Sequence, residues 1–311
     1  MTNEEKYGYL SRHGFSTLEW NEQEFLDLLN DGFSEASITL AQLAQINDEE
    51  KALKFFKIGA EAGNAEAAWG AAAILGHGYE PDIEGEDKLW YHYCLQAAQG
   101  GCPDAMHELG KGYHHLGNYL AAYYWFQLAM WYEHPEAQYS VNGIISTYQK
   151  AGSPDVVSEI DGVPNGEVEH AKRFFGIVTG KTRMVPNFVE DAIGEGLNDG
   201  VIFLNLFMAH FMEEFFKNDE QAKTFYQLAA HNESIIGMKC LGDMLAYGKG
   251  CQQNMQNAVS WYIGAAEKGE KTACFIMGEL YRKQNKDLAA FWYAKALRRG
   301  YEPARKRLLQ L

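Results

Sequence analysis

The sequence predicts an all-α, right-handed solenoid of stacked antiparallel helix pairs. Three observations carry this: a unit of about 34 residues that recurs along most of the chain, a spacing of small and large residues that puts them on one helix face, and only 7 prolines among 311 residues. The small residue that opens each unit stands at Ala36, Ala65, Ala105, Ala137, Ala171, Gly200, Gly237 and Ala273, seven steps over 237 residues. Within a unit, Ala-x-x-x-Leu-Gly-x-x-Tyr places its marked positions at i, i+4, i+5 and i+8, one face of a first helix. Ala-x-x-Trp-Tyr-x-x-Ala-Ala does the same for a second helix. Gly and Ala let a neighbouring helix approach closely, and the aromatic fills the space opposite. A single pair cannot bury both of its faces, so the units must stack.

Taken in order, residues 1–20 lack the pattern and are expected to form an irregular leader, with residues 21–311 as one solenoid domain. Asn21–Gly32 should be a helix capping the first pair, because Phe25, Leu28 and Leu29 share a face. Units with Leu40-Ala41 and Phe55-Phe56, then Trp69-Gly70 and Tyr93, then Leu109-Gly110 and Trp125-Phe126 follow. The unit from Ala137 keeps only its first half. Where its second helix should begin, Ser153-Pro154, Asp161-Gly162 and Pro164-Asn165-Gly166 read as turns, so 151–166 is expected to be a projecting loop and a second contact surface. The unit from Ala171 is weaker, with Phe175-Gly176 and then Phe188, Ala192 and Gly196. The last three units are well kept: Leu204 with Phe225-Tyr226, Leu241-Gly242 with Trp261-Tyr262, and Met277-Gly278 with Trp292-Tyr293. Glu302–Leu311 should close the stack as a terminal helix.

Residues 237–269 and 273–300 resemble Sel-one-like repeats, relatives of the tetratricopeptide repeat whose pattern includes A-x-x-x-L-G-x-x-Y, G-x-G and A-x-x-W-Y-x-x-A-A. The insertion holding Gly248-x-Gly250 favours that family over the fixed-length repeat, and the resemblance spans roughly residues 36–300. It implies a superhelix with an inner groove, used as a protein-interaction scaffold or adaptor rather than as an enzyme. Where the family has Asp after G-x-G, this chain has Asp82 in one unit and Asn254 in another.

Composition narrows the partners. The net charge of −15 opposes nonspecific binding to nucleic acid and to anionic membranes. No apolar run is long enough to span a bilayer, and the polar, acidic start offers no secretory signal. Five cysteines without a C-x-x-C pair suit reduced thiols, which sets the expected location in the cytoplasm. No cofactor is expected. Ten histidines invite a metal-dependent enzyme as the reading of another class, built on His107 and His114. Those two are seven residues apart and lack the i,i+4 spacing that two ligands on one helix prefer. Gly110-Lys111-Gly112 and Gly248-Lys249-Gly250 lack the remainder of a phosphate loop and fall on repeat positions.

The resemblance places a partner-binding groove on the first helices. In that register His107, Lys111, His114, Tyr139, Arg173, Lys239 and Asp243 face the groove, a set rich in the residue types that recur at interfaces. The expected partner is a protein or peptide on the concave surface, basic if the acidic field steers it. An inhibitor or immunity protein masking a basic effector is the sharper form of that reading. Residues 1–50 carry eleven acidic side chains against two basic ones, and residues 281–311 nine basic against two acidic. In an elongated solenoid these would be opposite poles. A monomer is expected, with head-to-tail association as the alternative.

Overall fold

The computed structural model describes residues 1–17, 20–76, 86–152, 160, 163, 165–181, 202–214 and 216–311. Among them are seventeen helices and no strand. Helix α1 (Asn3–Thr17) and α2 (Glu22–Asn30) precede the repeats. The pairs are α3 (Glu35–Gln45) with α4 (Glu49–Glu61), α5 (Ala65–Leu75) with α6 (Glu86–Gln99), and α7 (Pro103–His115) with α8 (Tyr119–Trp131). Then α9 (Ala137–Lys150) and α10 (Asn165–Val178) stand without such partners. Pairing resumes with α11 (Ile202–Glu214) and α12 (Asp219–His231), α13 (Ile235–Tyr247) and α14 (Met255–Glu267), and α15 (Lys271–Tyr281) and α16 (Lys286–Arg298), with α17 (Pro303–Leu308) at the end. Each pair packs internally, and each second helix packs on the first helix of the next unit. The chain is a helical-repeat solenoid.

The second helices start where a short polar side chain can satisfy a free amide. Asp48, Asn118, Asn218, Asn254 and Asn285 each accept a hydrogen bond from the backbone N–H three residues on. The Leu-Gly signature of the first helices also has a physical reading. A Cβ on Gly110 would lie 2.5 Å from the Phe126 ring, one on Gly242 2.7 Å from Tyr262, and one on Gly278 2.5 Å from Tyr293. The aromatic of the second helix therefore rests directly on the bare backbone of the first.

Three expectations are corrected. Residues 1–20 are not an irregular leader: α1 is a helix, and it lies along α16, at the other end of the sequence. The sequence pattern missed it because, among the side chains described there, Tyr7 and Leu10 are the buried apolar anchors, with Gly8 in backbone contact instead of a side chain. The second correction follows from the first, since the chain ends meet and the acidic and basic ends are not opposite poles. Tyr7, Leu10, Phe25, Leu28, Ala36, Leu40 and Phe291 form a second small core at this seam. Around it Glu35 pairs with Lys295 at 3.0 Å and Arg298 at 3.1 Å, and Glu66 with Arg298 at 3.1 Å and Arg299 at 3.4 Å. Three of the basic side chains of the C-terminal end are thus paired inside the molecule. Third, Asn165 and Gly166, expected in the projecting loop, begin α10. Most of that loop lies outside the described residues, as do Gly78, Asp82, Phe188, Ala192 and Gly196.

Closing the seam draws the turns between successive units together. Ser34, Gly63, Gly100, Tyr132, Ser234, Lys268 and Arg299, each at a different junction, line one central opening of about 460 Å³. Two junctions put glutamate in the left-handed backbone region where the other units use glycine: Glu133 at φ 60° and Glu233 at φ 64°. Glu133 reaches Lys239 at 3.6 Å and Lys271 at 3.2 Å, a bridge across the ring from the end of the third unit to the last two.

Candidate functional site: an apolar pocket where the repeat breaks

The seven groove positions do not form one surface. His107 is buried, hydrogen-bonded through Nε2 to the Ser140 hydroxyl at 2.9 Å and stacked on His134 with ring centroids 4.1 Å apart. Burial, aided by the neighbouring His134 and Lys111, pushes its pKa down to about 4. Lys111 pairs with Glu108 one turn earlier, and His114 is exposed against the Tyr119 ring. Lys239 and Asp243 pair with each other at 3.2 Å. Burial opposes the charge on Lys239, but Cys240, Asp243 and Glu133 outweigh it and hold the ammonium protonated. Arg173 is half-buried on α10, and Tyr139 stands 84% exposed on α9. His107 and His114 do not converge. Among the described residues no group of three metal-ligating side chains comes together.

The neutral state of His107 has a measurable consequence. Its folded pKa lies below the ordinary value near 6.5, so the stability it supports is fully present above that pH. It is lost as pH falls towards 4. A His107→Gln chain should show a shallower drop in melting temperature between pH 6.5 and 4 than the parent, measured by scanning calorimetry.

A different feature gathers at the break. Between α7 and α9 lie 21 residues, room for α8 and two turns, whereas between α9 and α10 lie only 14. A pocket of about 370 Å³ opens there between α8, α9, α10 and α11. Its wall is apolar: Trp131, Val141, Phe174, Ile177, Phe207 and Phe211. Phe174 and Phe207 stack at 3.8 Å, and Phe207 and Phe211 continue the ladder at 6.2 Å. The polar rim is Gln138, Asn142 and His210, with Gln127 deeper. The Gln127 amide donates to the Tyr123 hydroxyl at 3.2 Å, while its buried Oε1 has no hydrogen-bond partner. Volume, apolar wall and a few convergent polar groups match what binding pockets require.

The groove register puts Tyr139 on α9 and Arg173 on α10, but it misses Phe207 and Phe211. Their signal was present: Phe203, Phe207 and Phe211 recur every four residues, giving α11 a continuous aromatic stripe.

No family model matches the chain, and no curated protein matches it. The solved structures to which it is similar include two repeat proteins. One is a protective antigen present in uropathogenic Escherichia coli strains displaying an SLR fold, at 20% identity and a TM-score of 0.37 over 93% of this chain and 59% of that one. The other is a Sel1 repeat protein from Oxalobacter formigenes, at 17% identity and a TM-score of 0.37 over 92% and 79%. The chain thus spans about three fifths of the length of the first. Among the described residues no helix is long and apolar enough to cross a membrane.

Proposed function

We propose that the chain is a non-enzymatic protein-interaction scaffold that holds an apolar segment of a partner protein in the pocket at the repeat break. The observation that carries this reading is the aromatic wall of Phe174, Phe207 and Phe211 in a pocket of about 370 Å³. Of the residues expected on a concave groove, Tyr139 stands exposed on α9 next to the pocket residue Gln138. Lys239 and Asp243 belong instead to the bridge across the ring. The partner segment is one with one or two aromatic or aliphatic anchors flanked by Lys or Arg, because the net charge of −15 favours encounter with a basic chain. Inhibition of a basic effector by this route is the narrower form of the same proposal. The central opening is too small to admit a folded domain.

The test is selection from a displayed peptide library against the full chain and against Ile177→Glu and Phe211→Glu chains. The parent should enrich basic peptides with aromatic anchors, and binding should fall at least tenfold in both variants at unchanged helicity. Equal enrichment by all three would end the reading.

A further inference from the structure

The seam where the chain ends meet is built differently from the stacking of the repeats. Helix α1 contacts α2, its neighbour in sequence, only sparsely, but it runs along α16. Its seat is made by elements that each have other packing: α16 is paired with α15, and α3 with α4. Into that seat α1 delivers one aromatic ring. Tyr7 meets Phe25 edge-on at 5.4 Å and Phe291 edge-on at 6.0 Å, and its hydroxyl contacts Thr39 at 2.6 Å and accepts a hydrogen bond from Arg298. Gly8 lies against the backbone of α16 so closely that any Cβ there would collide with the Asp287 carbonyl oxygen. Polar contacts fix the register at both ends: Asn285 Nδ2 donates to Glu5 at 2.8 Å, and Arg12 pairs with Asp287 at 2.7 Å.

These contacts form a code that needs Glu5, Tyr7, Gly8 and Arg12 at their spacing on one helix, and a second copy of the chain carries that code by construction. We propose that the seam is a helix-receiving interaction surface, occupied by a chain's own α1 and able to take α1 from a second copy. Exchange between two molecules replaces every contact with an identical one, so the two forms differ by chain entropy and concentration rather than by interface energy. Reciprocal exchange fills both seats and closes as a dimer, without open-ended growth. This differs from the head-to-tail association expected from the charge pattern, because Lys295 and Arg298 of the basic end are already paired within the chain, with Glu35 and Glu66.

Two measurements test it. The first titrates a fluorescent peptide of residues 1–20 into the full chain and into a full-length Gly8→Leu chain, whose own α1 cannot seat. Saturable binding at least tenfold tighter to the Gly8→Leu chain, lost when the peptide carries Tyr7→Ala, is the expected result. A folded Gly8→Leu chain that does not bind the peptide, or that binds it no better than the parent, overturns the proposal. Should Gly8→Leu fail to fold, Arg12→Glu in the full chain loosens α1 through its pair with Asp287 and takes its place under the same criteria. The second measurement is sedimentation of the parent over a concentration series, before and after warming short of unfolding. A dimer that appears in the parent and dissociates when peptide 1–20 is in excess supports exchange. A parent that stays monomeric throughout overturns it.

Discussion

Replacing Arg298 with Met is expected to destabilise the fold by about 3–5 kcal/mol, the range for removing one partner of a buried ion network. The Arg298 side chain is 8% exposed, and Glu35 and Glu66 beside it are 15% and 13% exposed. Without the guanidinium, Glu66 keeps only Arg299 and Glu35 keeps only Lys295. Tyr7 loses its donor as well. Urea titration of the two chains measures the loss, and adding Glu66→Gln to the Arg298→Met chain should recover part of it by removing the stranded charge. A loss under 1 kcal/mol would mean that the seam is solvated rather than buried. The same network sets an acid dependence. Burial raises the pKa of Glu35, but Lys295 and Arg298 overcome it and hold the carboxyl below its ordinary value of 4.5. A carboxylate with a depressed folded pKa supports stability above its unfolded pKa and loses it as pH falls through the folded one. Stability should therefore fall more steeply below about pH 4.5 in the parent than in the Arg298→Met chain.

Gly110→Ala should destabilise by about 1–3 kcal/mol, although glycine to alanine inside a helix ordinarily stabilises by about 0.4–1 kcal/mol. The sign turns on one contact. A methyl group on Gly110 would lie 2.5 Å from the Phe126 ring, which is 3% exposed and cannot swing out into solvent. Gly143 is the control, because it lies in α9 and a Cβ there meets nothing within 4 Å. Gly143→Ala should be neutral or stabilising. Thermal unfolding of the two variants decides between helix propensity and close packing as the reason for the repeat's glycines. Destabilisation by both to the same degree would reject the packing account.

The regular units were legible because their constraints are local. A helix that must rest an aromatic ring on a neighbour's backbone requires glycine at one position and an aromatic at another, and Gly110 with Phe126 and Gly278 with Tyr293 display that requirement in linear order. The Asp or Asn that opens five of the second helices is equally local. The candidate site was half legible. The break in the repeat after α9 could be read from the turn residues in the sequence. The pocket itself could not, because it arises from how α8, α9, α10 and α11 meet once a unit is incomplete.

The sequence by itself determined that the chain folds as stacked helix pairs, since a repeated pattern of small and large residues leaves no other way to bury both faces of each pair. It also determined an acidic front and a basic rear. Only the tertiary structure decided what becomes of those ends. Whether a solenoid stays open or closes depends on a small rotation between units summed over the whole stack, and no single residue pattern records that sum. Here the sum brings Arg298 to Glu35 and Glu66 and lays α1 on α16. Lys295 and Arg298, part of what reads as a distant basic pole along the chain, meet Glu35 in a buried contact, because the ring closes and proximity in space replaces distance in sequence.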